Sequence, residues 1–420
     1  MDNSNRYRNQ IRNLEHILAN LQDPLRSGQP VDKGLTSFFR RNKQYGSHDR
    51  RFISNAIFAY YRWYGWLRHL PSAEKGVALL LGYLLDGNSI DDRVVFWAEY
   101  AELSGTWLET NNFRDAKTLE EKAAILSRII GPVQISALNP EFVEDWSIER
   151  LTAFQTRANI WLRVEQSDIQ PFLEFLTLNH IDYYVHSQNP KSLAVLSPLN
   201  LNLAADYQKG WIEIQDLSSQ AVGLICDPKD KEVWWDVCAG SGGKALHLSA
   251  LMGTGGQIYA TDVNGSMVRE LNRRVRKNKR WSNILPVQWD GLRLPEFQQQ
   301  LDGVLIDAPC SCSGTWRRNP ELRWRLTREQ VKDNARVQLS LLHRCCGSVR
   351  TNGVLIYATC SLLPEENEMV INAFLDSHKE FSFEKIRNPF SQEFSEKGLT
   401  ISPPQTDGNG MYIARLRKHG

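Results

Sequence analysis

The second half of the chain repeats a strand, a turn and a helix, and this alternation constrains the fold more than any other feature of the sequence. Short apolar segments are followed by polar or Gly-rich turns and then by segments of helical periodicity. The predicted strands cover residues 233–236, 258–262, 284–287, 303–307 and 353–359, with a late candidate at 411–416. Apolar strands that alternate with helices indicate an α/β fold, with a mainly parallel sheet covered on both faces.

The rest of the chain divides into two regions. Residues 1–135 carry few strand signals and form a predicted all-helical domain. Its first helix is indicated by apolar residues at helical spacing, namely Ile11, Leu14, Ile17, Leu18 and Leu21. Residues 140–215 mix short strands with a helix and form a predicted small α+β domain, which leaves 216–420 for the α/β domain.

The formal net charge is only +2, but the charge is unevenly distributed. Residues 1–70 hold 12 Lys and Arg against 5 Asp and Glu, and residues 267–328 hold 13 against 6. Two basic regions within a nearly neutral total indicate a polyanion partner such as nucleic acid. Charge alone leaves solvated helix faces as an equal alternative.

Two observations bear on the cellular compartment. The longest apolar run, Val77–Leu85, is shorter than the roughly 20 residues that a membrane helix needs, and the first ten residues lack the apolar core of a secretory signal. The seven cysteines are an odd number, which favours reduced thiols. We therefore expect a cytoplasmic protein without a membrane partner.

A Gly-rich turn follows the first strand of the α/β domain. It consists of Cys238, Ala239, Gly240, Ser241, Gly242, Gly243 and Lys244. It is not a phosphate-binding P-loop, because Cys238 replaces the first glycine of that motif and Ala245 replaces its Ser or Thr. Asp262 ends the next strand, where a carboxylate can bind both ribose hydroxyls of an adenosine, and Asp290 follows the third strand. Together these features favour an adenosine cofactor without a triphosphate, although each Asp alone is more typical of a turn or helix cap.

Two thiols follow neighbouring predicted strands. Cys310 lies just after the strand that ends at Asp307, and Cys360 ends the next strand. Both could face one crevice as nucleophiles, although cysteine is also a common buried residue. The Cys310-x-Cys312 spacing lacks the C-x-x-C pattern of structural zinc sites, so no metal is predicted.

Arginines and tryptophans follow the first thiol in the sequence. Arginine offers bidentate contacts to phosphate and tryptophan offers a stacking face, which suits a nucleic acid. The predicted RNA-binding residues are Arg317, Arg318, Arg323 and Arg325, with Arg163 of the α+β region.

These motifs resemble the Sun/RsmB-type RNA cytosine-C5 methyltransferases, which have a NusB-like N-terminal domain. The resemblance covers essentially the full chain and is strongest in DVCAGSGGK at 236–244, DAPCS at 307–311 and ATCSLLPEENE at 358–368. It is weaker in the N-terminal part, where it rests on GSHDRR at 46–51. The family turn is close to AAPGGK, whereas this chain has AGSGGK.

The resemblance implies a Rossmann-like class I methyltransferase domain that binds S-adenosylmethionine. The implied cofactor residues are Cys238 to Lys244, Asp262, Asp290 and Asp307. Cys360 is implied as the nucleophile that adds to carbon 6 of a flipped-out cytosine, Asp307 as the group that binds the ring nitrogen, and Cys310 as the residue that helps to release the product. No role is implied for Cys312.

Several alternatives stay open at this stage. Small-subunit ribosomal RNA is the implied substrate, and transfer RNA is the alternative. A DNA cytosine methyltransferase would use the proline–cysteine thiol, Cys310, as its nucleophile and would not need Cys360. A non-catalytic RNA-binding factor for ribosome assembly is the alternative from another class. We expect a monomer because the sequence has no coiled-coil heptads.

Overall fold

The structure is a computed structural model, and it describes residues 4–26, 30–71, 74–103, 108, 113–143, 146–165, 169–197, 199–253 and 255–420. The chain forms two compact units. The first comprises Met1–Arg157 together with Thr315–Arg328, and the second comprises Ala158–Gly314 together with Glu329–Gly420. The first unit is therefore larger than the predicted helical domain of residues 1–135.

The first unit is helical. Its helices are α1 Ser4–Arg26, α2 Val31–Arg41, α3 Ser47–Arg62, α4 Lys75–Leu85, α5 Asp92–Tyr100, α6 Leu119–Ile130 and α7 Ile148–Phe154, with single helical turns at Tyr64–Leu67 and Pro320–Arg323. The predicted apolar face of α1 is buried, since Leu14, Ile17 and Leu18 are inaccessible to solvent.

Hydrogen bonds explain why residues 315–328 pack with helices that precede them by more than 150 positions. The Arg62 guanidinium donates to the Arg317 carbonyl at 3.0 Å, and the Trp324 indole N–H donates to the Tyr61 carbonyl at 2.6 Å. The other side of Arg62 forms a buried salt bridge with Asp86 at 2.7 Å. Because a buried guanidinium needs partners for its N–H groups, these contacts tie the segment to α3.

The second unit contains the predicted α/β fold and a smaller sheet. Its helices are α8 Gln170–Leu178, α9 Leu217–Cys226, α10 Gly243–Met252, α11 Gly265–Lys277, α12 Arg328–Cys345, whose first residue belongs to the first unit, and α13 Glu368–Ser377, with a single turn at Ala205–Gln208. Turns of 3₁₀ helix lie at Leu201–Leu203, Lys279–Trp281, Cys346–Ser348 and Pro364–Glu366 in this unit and at Ile135–Leu138 in the first unit, and another, Ser313–Thr315, ends at the first residue of the first unit's second segment.

Fourteen strands occur in the part of the chain that the structure describes. They are β1 Ile160–Val164, β2 Tyr183–His186, β3 Asn189–Val195, β4 Ile212–Ile214, β5 Val233–Asp236, β6 Gln257–Asp262, β7 Ile284–Gln288, β8 Leu301–Asp307, β9 Val349–Thr359, β10 Phe381–Phe383, β11 Ile386–Arg387, β12 Phe394–Ser395, β13 Leu399–Ile401 and β14 Met411–Lys418. All six strands that the sequence predicts after residue 216 are confirmed within a few residues.

The large sheet has the order β10-β14-β9-β8-β5-β6-β7, with β13 beside β14. Strands β5 to β9 run parallel, and β14 is antiparallel to β9. The four-stranded sheet has the order β2-β3-β1-β4 and is antiparallel throughout. The predicted α/β fold is thus confirmed.

Successive strand residues point to opposite faces of the large sheet, and both faces are covered by helices. Trp234 packs in a cluster with residues of α9 and α10, whereas Trp235 packs in a cluster with residues of α12 and α13. Both indoles are almost inaccessible to solvent. This burial on two faces explains why the strands read as continuous apolar runs. No helix in the described ranges is both long and apolar enough to cross a membrane.

Candidate active site

Three neighbouring strands carry polar residues at their carboxyl ends. The register pairs Asp236 of β5 with Leu305 of β8, and Asp307 of β8 with Ala358 of β9. Asp236, Asp307 and the thiol of Cys360 therefore reach the same edge of the sheet. This is the edge at which α/β sheets bind ligands.

The Gly-rich turn after β5 adopts a conformation that glycine permits. Gly240 and Gly242 have φ values of 55° and 92°. A Cβ atom at Gly242 would lie 2.2 Å from Leu271 Cδ1, so the turn also needs glycine for space. The Gly240 N–H donates to Asp262 Oδ2 at 2.9 Å, which joins the turn to the end of β6.

A cavity of about 570 Å³ opens beside this turn. It is lined by Val237, Cys238, Asp262, Val263, Trp289, Gly291, Asp307, Pro309, Arg336, Val337, Ser340, Leu341 and Arg344. Three of the predicted cofactor residues, Cys238, Asp262 and Asp307, line it directly. The lining combines the carboxylates of Asp262 and Asp307 with apolar side chains such as Val237, Val263 and Leu341.

The remaining predicted cofactor residues lie near the cavity without lining it. Lys244 is held by Asp307, and residues 239–243 form the turn behind Cys238. Asp290 is exposed between two lining residues, and its carboxylate accepts the backbone N–H groups of Leu292 and Arg293. These backbone N–H groups lower the pKa of Asp290. Its implied role in binding the cofactor stays a prediction.

Sequence reasoning missed the wall of the cavity that α12 provides. Arg336, Val337, Ser340, Leu341 and Arg344 recur at intervals of three and four residues and so share one face of the helix. That spacing was visible in the sequence. It did not reveal a binding role, because a mixed face of this kind is ordinary for a surface helix.

Lys244 and Asp307 form an ion pair at the centre of the site. The Lys244 ammonium donates to Asp307 Oδ2 at 2.6 Å. Burial raises the pKa of Asp307, and Lys244 opposes that shift without cancelling it. Burial lowers the pKa of Lys244, but the Asp307 carboxylate outweighs burial and the net shift is upward. The ion pair places the positively charged ammonium of Lys244 beside the ends of the strands.

Asp236 is inaccessible to solvent. Burial and the nearby negative charge of Asp307 raise the pKa of Asp236 to about 8. An unfolded chain would have this carboxyl ionised above about pH 4. Between about pH 4 and the pKa of Asp236 in the folded state, the folded protein therefore keeps a proton that the unfolded chain has released.

The protonation of Asp236 leads to a prediction of how the stability of the protein changes with pH. Because the folded state binds the proton more tightly, the free energy of unfolding should fall as pH rises from about 4 to about 8. Asp236→Asn removes that pH-dependent loss, so the variant should gain stability relative to the parent between about pH 5 and about pH 9, by up to several kcal/mol, since a change of one unit in a pKa corresponds to about 1.4 kcal/mol. Urea unfolding of both proteins at several pH values would measure this. A constant difference between the two proteins from about pH 5 to about pH 9 would contradict the assignment.

The two predicted thiols are brought together. The Cys310 and Cys360 sulfur atoms are 3.4 Å apart, and both side chains are partly exposed. Contacts with Cys312 and Cys360, together with burial, raise the pKa of Cys310. For Cys360, the contact with Cys310 lowers the pKa, but Cys312 and burial outweigh it and the pKa is raised. The charge of Lys244 favours the Cys360 thiolate.

Glu366, a residue that sequence reasoning did not single out, holds the two thiol loops together. It is inaccessible to solvent and accepts hydrogen bonds from the Ser311 N–H at 2.8 Å and from the Ser311 hydroxyl. Asn334 of α12 donates to it at 2.9 Å, and its own carbonyl accepts from the Tyr357 hydroxyl at 2.5 Å. Ser313 adds a second link, since its hydroxyl accepts from the Leu362 N–H at 2.8 Å.

Replacing Glu366 by alanine should therefore loosen the site. The change removes the acceptor of the Ser311 and Asn334 donors, and we expect a loss of about 2–4 kcal/mol in the free energy of unfolding, since each buried donor left without a partner costs about 1–3 kcal/mol. Thermal and urea unfolding would measure it. Glu365→Ala is the matched control, because Glu365 is exposed and adjacent in sequence. Equal stability of the two variants would show that Glu366 does not hold the loops.

Arg163, a predicted RNA-binding residue, lies inside the second unit. Its side chain is buried, forms a salt bridge with Glu165, and donates to Gln215. It also donates to the Gly243 carbonyl at the start of α10, at 3.3 Å. In this position the guanidinium supports the helix behind the Gly-rich turn. A contact between Arg163 and RNA stays a prediction that this burial does not favour.

The four other predicted RNA-binding arginines lie in the first unit. Sequence proximity to Cys310 suggested that they flank the thiols, but residues 315–328 pack with the helical unit. Arg317 is buried and donates to the Arg157 carbonyl at 3.0 Å, and Arg323 is buried and donates to the Leu138 carbonyl at 2.8 Å. Arg318 and Arg325 are partly exposed. Two of the four guanidinium groups thus donate hydrogen bonds to carbonyl oxygens in the interior of the protein.

Comparison with known proteins adds to this geometry. The family model described as 16S rRNA methyltransferase RsmB/F matches residues 223–417. This part of the chain is similar to the RsmB/F methyltransferase family. The match contains the Gly-rich turn, the acidic strand ends and all three thiols. It does not extend to the N-terminal region, whose NusB-like character stays a prediction.

Curated relatives and solved structures agree with the family. The ribosomal RNA small subunit methyltransferase B of Pasteurella multocida is 28% identical over 293 residues, which cover 65% of each chain. The probable ribosomal RNA small subunit methyltransferase B of Synechocystis is 37% identical over 220 residues, or 50% of this chain and 49% of the relative. The chain thus spans less than two thirds of the length of these relatives.

Two crystal structures are similar in fold. That of PH0851 superposes with a TM-score of 0.73 at 22% identity, over 96% of this chain and 99% of that chain. That of a methyltransferase homologue from Pyrococcus horikoshii has a TM-score of 0.54 at 28% identity, over 64% of this chain and 90% of that chain. These similarities support a Rossmann-like methyltransferase domain.

Proposed function

We propose that this chain transfers a methyl group from S-adenosylmethionine to carbon 5 of a cytosine in RNA, through a covalent bond between Cys360 and the base. The observation that carries the proposal is the pair of thiols 3.4 Å apart, at the ends of adjacent strands. A single nucleophile would explain one thiol at a strand end. Two thiols facing one space suit a reaction in which a covalent adduct must form and then be released.

The cavity beside the thiols fits the cofactor. S-adenosylmethionine supplies an electrophilic methyl group when it is bound. Asp262 lies at the end of β6, where its carboxylate can accept hydrogen bonds from two ribose hydroxyls. Trp289 and Val263 offer apolar surface for the adenine ring, and the volume of about 570 Å³ is within the usual range for small-molecule pockets. Asp307 lines both this cavity and the edge at which the thiols lie.

The chain's own groups account for the chemistry at the base. The Cys360 thiolate adds to carbon 6, and the electron pair of the carbon 5–carbon 6 double bond moves toward carbon 5 and the ring. Asp307 shares a hydrogen with the Lys244 ammonium and can pass a proton from this pair to the ring nitrogen as negative charge develops there. Carbon 5 then takes the methyl group. A base then takes the carbon 5 proton, a role for which Cys310 is placed. The electrons of the broken C–H bond restore the double bond and expel the Cys360 sulfur as a thiolate, and the ring nitrogen returns its proton to Asp307.

The proposed substrate is small-subunit ribosomal RNA. The names of the relatives specify that RNA, and the second unit carries a basic surface that suits a polyanion. Exposed cations on and after α11 are Arg269, Arg273, Arg276, Lys277 and Lys279. A duplex buries its bases, so the target cytosine must lie in a loop or be flipped out. Transfer RNA is the alternative that the test must separate.

Two measurements test the proposal. Bisulfite sequencing of RNA from cells that lack the protein should show the loss of one methylated cytosine in small-subunit ribosomal RNA, and restoring the gene should return it. A lost site in transfer RNA would change the substrate. Calorimetric titration of the purified chain with S-adenosylmethionine should show one binding site. Absence of cofactor binding with RNA binding retained would favour a non-catalytic assembly factor instead.

A further inference from the structure

Cys312 is a third thiol at the active site, and the proposed methyl transfer gives it no task. The sulfur atoms of Cys310, Cys312 and Cys360 all lie within 4.8 Å of one another. Sequence spacing argued against a metal, because Cys310 and Cys312 form only a C-x-C pair. The third sulfur comes from the end of β9, a contact that no local spacing could indicate.

We propose that Cys310, Cys312 and Cys360 form a binding site for one soft metal ion, with Zn²⁺ as the ion of choice. Zinc–thiolate bonds are about 2.3 Å long, so sulfur ligands in tetrahedral or trigonal geometry stand about 3.8–4.0 Å apart. The sulfur atoms of Cys310 and Cys360 are 3.4 Å apart and no pair among the three exceeds 4.8 Å, which is close to that value. Small side-chain rotations would suffice to complete the site. Each thiol that coordinates releases its proton to solvent, and no electron is transferred.

The loop that carries Cys312 is held in place on both sides. Ser311 is bound to Glu366, and the Ser313 and Ser361 hydroxyls lie 3.2 Å apart. Cys312 itself has a φ of 57°, in the left-handed region that costs a non-glycine residue about 1–2 kcal/mol. A thiol is thus presented on a rigid loop, at a backbone position where glycine would cost less.

The three sulfur ligands leave a fourth position for water or another donor, because all three side chains are partly exposed. An ion there would occupy the sulfur lone pair with which Cys360 attacks the base. Metal binding and covalent catalysis therefore exclude each other, and zinc would act as a reversible inhibitor. The binding step does not depend on the proposed methyl transfer.

The second unit offers one rival site, which provides a matched control. His343 Nδ1 lies 2.8 Å from His378 Nε2, and Cys346 Sγ lies 3.8 Å from His378 Nδ1. His378 also pairs with Glu380 at 3.0 Å. His343 lies in the last turn of α12 and His378 directly follows α13, and the group could bind zinc through its imidazoles.

Titration of the reduced protein with Zn²⁺ would test the proposal. A parallel titration with Cd²⁺ provides a direct signal, because Cd²⁺ absorbs in the near ultraviolet when thiolates bind it. We expect one ion per chain. Cys312→Ser should weaken binding by more than about 100-fold, because even partners outside the coordination shell account for roughly 10–100-fold. Cys312→Gly should behave likewise, and it should fold because glycine tolerates the backbone conformation. His378→Ala should bind as the parent does.

Three outcomes would overturn the proposal: no thiolate absorption with Cd²⁺, unchanged affinity in both Cys312 variants, or loss of the ion in His378→Ala. If methyl transfer is observed, Zn²⁺ should also inhibit the parent, and a chelator should restore its activity. The Cys312 variants should resist that inhibition. If the protein binds Cd²⁺ through thiolates but transfers no methyl group, the proposed function is wrong and the proposed metal site is still supported.

Discussion

Replacing Cys360 by alanine should abolish both methyl transfer and covalent capture of RNA. Cys360 directly follows β9, and the charge of Lys244 favours its thiolate. Without it, no nucleophile adds to carbon 6, and carbon 5 is not activated. We expect the rate to fall by roughly 10⁴–10⁶-fold, the range seen when a covalent enzyme loses a residue of its nucleophilic machinery. Transfer of a labelled methyl group to RNA that lacks the modification would measure the loss.

Cys346→Ala is the matched control for this experiment. Cys346 is buried in the turn before β9 begins, at the opposite end of that strand from Cys360. The Cys346→Ala substitution removes a thiol but leaves Cys310 and Cys360 unchanged, so the rate of methyl transfer should stay near that of the parent. Retention of activity in Cys360→Ala would exclude Cys360 as the nucleophile and would direct the assignment to Cys310.

Replacing Cys310 by alanine should trap a stable adduct between the protein and its RNA. Cys310 lies 3.4 Å from the Cys360 sulfur and is the side chain placed to assist when that sulfur leaves carbon 6. Without Cys310, addition and methyl transfer should proceed, whereas release should become slow. The complex should survive denaturing electrophoresis and should require S-adenosylmethionine to reach its full yield.

The double variant Cys310→Ala, Cys360→Ala distinguishes a true adduct from tight binding. It should bind RNA but form no complex that resists denaturation. If Cys360→Ala traps RNA and Cys310→Ala does not, the two roles are exchanged, as in the alternative with the proline–cysteine thiol as nucleophile. The two single variants thus give opposite results under the two assignments.

Part of the site could be read from the sequence because it depends on local pattern. Asp236, Asp262 and Asp307 each end an apolar run, and parallel strands bring their carboxyl ends to one edge of a sheet. The same rule placed Cys360 beside Cys310. The Gly-rich turn was recognisable because Gly240 and Gly242 adopt backbone conformations that few other residues tolerate.

The partners of the arginine-rich segment could not be predicted from the sequence. Arg317 and Arg323 look like phosphate ligands, yet interior carbonyls of the helical unit accept their hydrogen bonds. Charge and composition describe what a side chain can bind, whereas burial decides which partner it meets. That partner lies more than 150 residues away in the chain, so no sequence window contained it.

The sequence by itself determined the alternation of strands and helices, and with it the positions of the acids and thiols at strand ends. Periodicity and chain order are local properties, and a parallel sheet converts them into a shared edge. Only the tertiary structure decided that α12 lines the cavity beside the Gly-rich turn, that Glu366 joins the two thiol loops, and that Cys312 completes a group of three sulfur atoms. These features depend on distances between residues far apart in the chain, which packing sets and local pattern does not encode.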